Sequence, residues 1–233
     1  MQTLLNQTAL NGSFQDRRLP VTIAARTRRV YDMVAGVYPL STRFFHSKAH
    51  RCALEDAGIR NGMRVLEVAT GSGEMFRRLV NANRAGTTVG LDLSPNMAAK
   101  TQRDVRKDFP DAEARCQAVD ARYLPFRDNA FDAVISCYLL ELLSTDDIHR
   151  TLGEMGRVLR PSGSLTLVLI GQNTDLFNRA YKVASTIVPA FWGSQIERRV
   201  PEFLAHHGMR VHSDRVVRQT GYPSRILTAR KHW

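Results

Sequence analysis

The chain has 233 residues, 43% of them hydrophobic, which is room for one α/β domain with additions and too little for two full domains. No apolar run approaches the roughly 20 residues needed to span a bilayer. The net charge of +11 sits at the ends: residues 1–60 carry nine Lys/Arg against four Asp/Glu, residues 197–233 carry eight against three, and the middle is near neutral. Arginine supplies 28 of the 33 basic residues. That pattern fits a basic face for an anionic partner, nucleic acid or membrane surface, and equally a genome rich in arginine codons. The start, "MQTLLNQTALNGSF", lacks the cationic head and long apolar stretch of a secretory signal. Cys52, Cys116 and Cys137 are scattered and form no metal spacing or disulfide framework, as expected of a reducing cytoplasm.

In chain order, residues 1–25 read as a flexible leader and residues 26–233 as a single domain. Residues 26–60 open it with a helical pattern, in which Val30, Val34, Val37 and Tyr38 share one face. "MRVLEVA" reads as a buried strand and Glu74 to about Asn83 as a helix. "TTVGLDL" is a strand, followed by the helix "SPNMAAKTQRDVRKDF" with Ser94 as N-cap and Pro95 in its first turn. "EARCQAVD" and "FDAVISCYLL" are strands, "DDIHRTLGEMGRVL" a helix, "RPSG" a turn and "SLTLVLIG" a strand. Helical segments near 174–188 and 195–207 precede two closing strands, "RVHSDRVVR" and "SRILTAR". Such alternation implies a mostly parallel sheet with helices on both faces and an antiparallel pair at one edge.

The glycine turn in "VLEVATGSGEMFRRL" ends the first core strand, where sheets of this kind bind ligands. A dinucleotide site wants Gly or Ala at the position Phe76 occupies. A ligand without phosphate fits better, and S-adenosylmethionine is one: its carboxylate can sit at helix N-terminal amides, and its ribose and adenine need acceptors. Asp92 lies 25 residues beyond Glu67, at the tip of the second strand, where a carboxylate can take both ribose hydroxyls. Asp120 lies at the tip of the third strand, facing the adenine amine or, alternatively, serving as a cap. Met97 and the backbone around Ala121 can pack on the adenine ring.

"VLEVATGSGEM", "VGLDLSPNM", "AVDARYLPFRDNAFDAVISCYLLELL" and "EMGRVLRPSGSLTLV" together resemble class I S-adenosylmethionine-dependent methyltransferases, in particular the ubiquinone/menaquinone C-methyltransferase-like group. The resemblance covers about residues 30–170. It implies a Rossmann-like α/β fold with a seven-stranded sheet of order 3-2-1-4-5-7-6, the seventh strand antiparallel. It also implies a cofactor set of Glu67, Ala69, Gly71, Gly73, Asp92, Leu93, Met97, Asp120, Ala121 and Cys137. Ala69 stands where the family usually has the first glycine of the loop. Related enzymes use the region of residues 26–60 as a lid over the cofactor, which would bring Tyr31 and Tyr38, seven apart on one helix face, toward it. Residues 171–208, with Phe177, Tyr181, Phe191 and Trp192, fall where these enzymes insert substrate-covering elements; the same spacing also suits core packing.

Methyl transfer from a sulfonium needs positioning and desolvation more than a dedicated catalytic set. Tyr138 and Glu141 are candidate bases after the fourth strand, and Glu141 alternatively lies on the exposed side of the following element. "SCYL" lacks the run typical of exocyclic-amine methyltransferases of nucleic acids. His46 and His50 are four apart, but nothing completes a metal site, so no metal is expected; the pair reads as polar lining of the substrate side or as a solvated helix face. The expected acceptor is small and apolar or lipid-like, such as a quinol, lipid or aromatic metabolite, with peripheral contact to an anionic membrane as one use of the basic ends. RNA or protein methylation is the alternative enzyme reading, and a cofactor-binding partner protein without transfer activity the alternative from another class.

Overall fold

The computed structural model describes residues 38–171, 196–219 and 223–232, with side chains of the first helix described from Ser47 onward. Helix α1 (Tyr38–Ala57) leads into β1 (Arg64–Val68), α2 (Glu74–Ala82), β2 (Thr87–Asp92), α3 (Pro95–Asp108), β3 (Glu113–Ala118) and β4 (Phe131–Cys137). A 3-10 turn (Leu140–Leu142), α4 (Thr145–Val158), β5 (Leu159–Ile170), α5 (Val200–His206), β6 (Met209–Val217) and β7 (Ser224–Lys231) complete it. The strands form one sheet in the order β3-β2-β1-β4-β5-β7-β6. β1 to β5 run parallel, and β7 pairs antiparallel with both β5 and β6. This is the expected architecture, strand for strand. The leader, Tyr31 and the aromatic segment around residues 177–192 lie outside the described residues.

The alternation of buried residues along β1 explains why both faces are covered. Leu66 and Val68 join a core with α4, α5 and β5, whereas Val65 joins one with α1 and α2. α1 packs on β5, β6 and β7 as well as on α2, through Ala49, Cys52, Ala53 and Ala57, all buried. These four residues lie within the span expected to form a lid. α3 starts as its sequence dictates: the Ser94 hydroxyl accepts the Met97 N–H at 3.2 Å, with proline in the first turn.

Phe76, which weakens the dinucleotide reading, has a packing explanation. A Cβ on Gly90 of β2 would meet the Phe76 ring at 2.8 Å, so the helix–strand approach is made by a glycine on the strand. The "RPSG" turn proves to be part of β5. Phe131 pairs with Leu159 and Ala133 with Ser164, so Arg160–Gly163 bulge out opposite a single residue, with Ser162 at φ 62°. Turn chemistry is present, but strand pairing continues on both sides of it.

Two of the stretches that carry the resemblance, around "LPFRD" and "EMGRVL", are one physical unit. The Arg157 guanidinium donates to the carbonyls of Leu124 (2.9 Å) and Phe126 (2.7 Å) and to Asp128 Oδ1 (2.8 Å), while Glu154 accepts the Leu124 N–H at 2.7 Å. Two side chains of α4 therefore fix the loop that follows Val119–Arg122, one wall of the crevice.

Candidate active site

The crevice lies at the carboxyl ends of β1 to β4, enclosing about 1060 Å³ with its open mouth included. Of the expected residues, Glu67, Ala69, Gly71, Asp92, Leu93, Asp120, Ala121, Cys137 and Tyr138 line it. Gly73 and Met97 support it from behind. Met97 is fully buried in the first turn of α3, and a Cβ on Gly73 would lie 2.7 Å from the Thr101 hydroxyl. Tyr38 begins α1.

β1 delivers Glu67 into the crevice floor, and Glu67 Oε2 is buried with no hydrogen-bond partner among the described residues. Burial first, and the nearby Asp92 charge second, hold its carboxyl well above the usual range. The turn after β1 reverses through left-handed backbone at Ala69 (φ 66°), Gly71 (φ 50°) and Gly73 (φ 78°). It is pinned at both ends: Thr70 N–H donates to Leu91 O and Gly73 N–H to Thr70 O, each at 2.9 Å. Asp92 closes the site from β2, accepting Gly71 N–H on Oδ2 at 2.7 Å and Ser94 N–H on Oδ1 at 2.9 Å. A carboxylate at this strand tip is an acceptor of the kind that ligand hydroxyls need.

Asp120 is engaged differently. Its two oxygens take a fork from the Arg122 side chain, with contacts from 2.7 to 3.2 Å, and Oδ1 also accepts the Arg122 N–H at 3.0 Å. Arg122 reaches on to Asp147 of α4 at 3.1 Å. The fork holds the Asp120 carboxyl below its usual range. Most of its acceptor capacity is thus used inside the chain.

On the β4 side, Tyr138 sits in left-handed backbone (φ 55°), an uncommon place for an aromatic residue and one typical of functional strain. Its hydroxyl meets Ser224 Oγ at 2.7 Å, and Gln219 donates to that serine at 2.8 Å. Burial keeps the phenol protonated well past its ordinary range, and it likewise pushes the Cys137 thiol up. Glu141 is a correction to the alternative expected for it. The carboxylate does not lie on an exposed face; it turns inward, is 3% exposed and accepts the Ile170 N–H at 2.6 Å.

The crevice also holds His50 and several residues that the sequence does not assign to it. His50 comes from α1, its Nδ1 3.8 Å from Glu74 Oε2 and its ring centroid 6.1 Å from that of Tyr138. Met75, Arg122, Leu142 and Leu143 complete the lining with Val68, Val119 and Leu139. Of the two non-metal readings of His50, polar lining of the substrate side or a solvated helix face, the structure has the first, because packing of α1 sets that direction.

A floor carboxyl with an unmatched oxygen, a left-handed turn and a carboxylate at the tip of β2 fit an amino-acid nucleoside such as S-adenosylmethionine. Residues 65–163 match the family described as Methyltransferase domain. The chain belongs to the class I S-adenosylmethionine-dependent methyltransferases, and S-adenosylmethionine is its cofactor. Among curated proteins it is 32% identical over 202 residues to the ubiquinone/menaquinone biosynthesis C-methyltransferase UbiE of Teredinibacter turnerae, covering 82% of this chain and 79% of that one. It is 28% identical to the Cellvibrio japonicus protein of the same name, over 82% and 79% of the two chains. Among solved structures, geranyl diphosphate C-methyltransferase from Streptomyces coelicolor, in complex with Mg2+, geranyl diphosphate and S-adenosyl-L-homocysteine, superposes with a TM-score of 0.72 at 14% identity, covering 91% of this chain and 100% of that one. The [4+2]-cyclase SpnF gives 0.72 at 20% identity, over 88% and 96%. Among the described residues no helix is long and apolar enough to cross a membrane.

Proposed function

We propose that the chain methylates a small apolar or lipid-like acceptor. The observation that carries this reading is the lining of the crevice. Beside the polar Glu67, Thr70, Ser72, Asp92, Asp120, Arg122, His50 and Tyr138, its walls are apolar, with Val68, Met75, Leu93, Val119, Leu139, Leu142 and Leu143. The quinone relatives support a reduced quinone ring as the first acceptor to try.

In this reading the chain divides its work between the two sides of the crevice. Asp92 accepts the ribose hydroxyls, and Glu67 offers its carboxyl to the amino group. The turn at Ala69–Gly73, with Leu93, Ala121 and Cys137, shapes the remainder, and Asp120 contributes chiefly by fixing the Arg122 wall. The bound cofactor supplies a methyl group already activated on its sulfonium. The protein then has to exclude water and hold the acceptor in line. An acceptor that loses a proton needs a base. His50, backed by Glu74, lines the crevice and is the base we favour. Tyr138, kept neutral and tied to Ser224, suits a hydrogen-bond donor that orients the acceptor, and Glu141 supports the wall through Ile170.

The test is a cell extract incubated with the protein and cofactor carrying a deuterated methyl group, then fractionated and read by mass spectrometry. Label in an organic-extractable molecule is expected. Label confined to RNA or protein would replace this reading with the macromolecular one. Co-sedimentation with anionic but not neutral vesicles would add a membrane-borne source for the acceptor.

A further inference from the structure

Away from the crevice, three histidines converge where α5 meets α4. His149 lies in α4, while His206 and His207 stand at the end of α5. One ring nitrogen from each lies within 4.8 Å of the other two. His149 Nδ1 and His207 Nε2 are only 3.3 Å apart. Packing holds both rings in this relation. The His149 ring meets Phe203 edge-on, centroids 4.8 Å apart. The His207 ring lies over Gly153, one turn beyond His149, where an added Cβ would stand 3.4 Å from the ring. α4 thus supplies one imidazole and the bare backbone against which a second is seated.

We propose that His149, His206 and His207 bind a divalent transition-metal ion of the zinc type. Imidazole nitrogens sit about 2.0–2.1 Å from zinc in tetrahedral sites, which sets neighbouring ligand nitrogens about 3.3 Å apart. The His149–His207 pair already has that separation. His206 is exposed, so a side-chain rotation can bring it in. Three neutral imidazoles suit zinc, nickel or copper; calcium and magnesium prefer oxygen ligands. The ligands come from helices some 58 positions apart and meet only in the folded chain, so the ion would clamp α5 to α4.

The test uses the full chain without an affinity tag, stripped with a chelator and titrated with Zn2+ by calorimetry. One equivalent should bind, and cobalt in its place should give the intense visible bands of a tetrahedral or five-coordinate site. Each of His149→Ala, His206→Ala and His207→Ala should weaken binding by roughly tenfold or more, whereas His212→Ala on β6 should not. His206→Ala is informative by itself, because an exposed ring can be removed without unfolding the helix pair. Absence of one-to-one binding, or wild-type affinity in any of the three variants, overturns the proposal.

Discussion

Asp92 Oδ2 accepts the backbone N–H of Gly71 at 2.7 Å, joining the tip of β2 to the turn that leaves β1. Through Ser94 N–H, at 2.9 Å, the same carboxylate also sets the start of α3. It is therefore both a structural tie and the acceptor proposed for the ribose. Asp92→Ala should raise the cofactor dissociation constant about 30- to 150-fold, equivalent to about 2–3 kcal/mol, in a calorimetric titration. A folded variant that binds as the wild type does would remove the ribose assignment.

The two glycines of the turn should differ in their tolerance. Both are left-handed, but a Cβ at Gly71 meets nothing within 4 Å, whereas one at Gly73 meets buried Thr101 at 2.7 Å. Gly71→Ala should cost the backbone strain of about 1–2 kcal/mol less the chain entropy of about 0.5–1 kcal/mol that glycine loses on folding, a net of about 0.5–1 kcal/mol. Gly73→Ala adds an overpacking cost of about 1–3 kcal/mol. Urea denaturation of the two variants reads the order directly; equal losses would mean that Thr101 moves aside freely.

Ala69 invites the opposite change. Its φ of 66° costs an alanine about 1–2 kcal/mol, against about 0.5–1 kcal/mol of extra chain entropy that glycine loses on folding. Ala69→Gly should thus stabilise the protein by about 0.5–1 kcal/mol and raise its melting temperature by roughly 1–4 °C. A lower melting temperature would show that the methyl group of Ala69 makes a packing contribution larger than its strain.

What could be read from the sequence is what depends on short spacings. The alternation of strands and helices, the glycine turn, Asp92 at a strand tip and the Ser94 cap follow from period, turn chemistry and capping within a few residues, whereas the strand order is what the family resemblance implies. What could not be read depends on packing between distant elements. The sequence offers His50 as substrate-side lining or as a solvated face, and only the packing of α1 on the sheet decides between them; the histidine cluster exists only because α5 meets α4. Asp120 was read by its place at a strand tip, but its partner Arg122, two residues on, takes up the carboxylate because Asp147 of α4 anchors the far side of the guanidinium. Glu141 was placed from its nearness to the crevice mouth, and its inward turn follows from the Ile170 N–H at the end of β5.

Glu141 also carries a pH dependence with a definite sign. Burial pushes its carboxyl from 4.5 up to about 7, with the Glu197 charge adding to the rise and the Ile170 N–H opposing it. Between those two values the folded chain holds a proton that the unfolded chain has released. Stability from this group is therefore full below about pH 4.5 and falls as pH rises toward 7, by on the order of 3 kcal/mol. Buried Glu67 acts in the same direction, while His207 and His212, both held low, act in the other. The difference between the wild type and Glu141→Gln isolates the contribution, since the glutamine carbonyl still accepts the Ile170 N–H. Denaturant midpoints measured from pH 5 to pH 8 should show the variant gaining on the wild type as pH rises. Parallel curves would mean that Glu141 titrates in the folded chain as it does in the unfolded one.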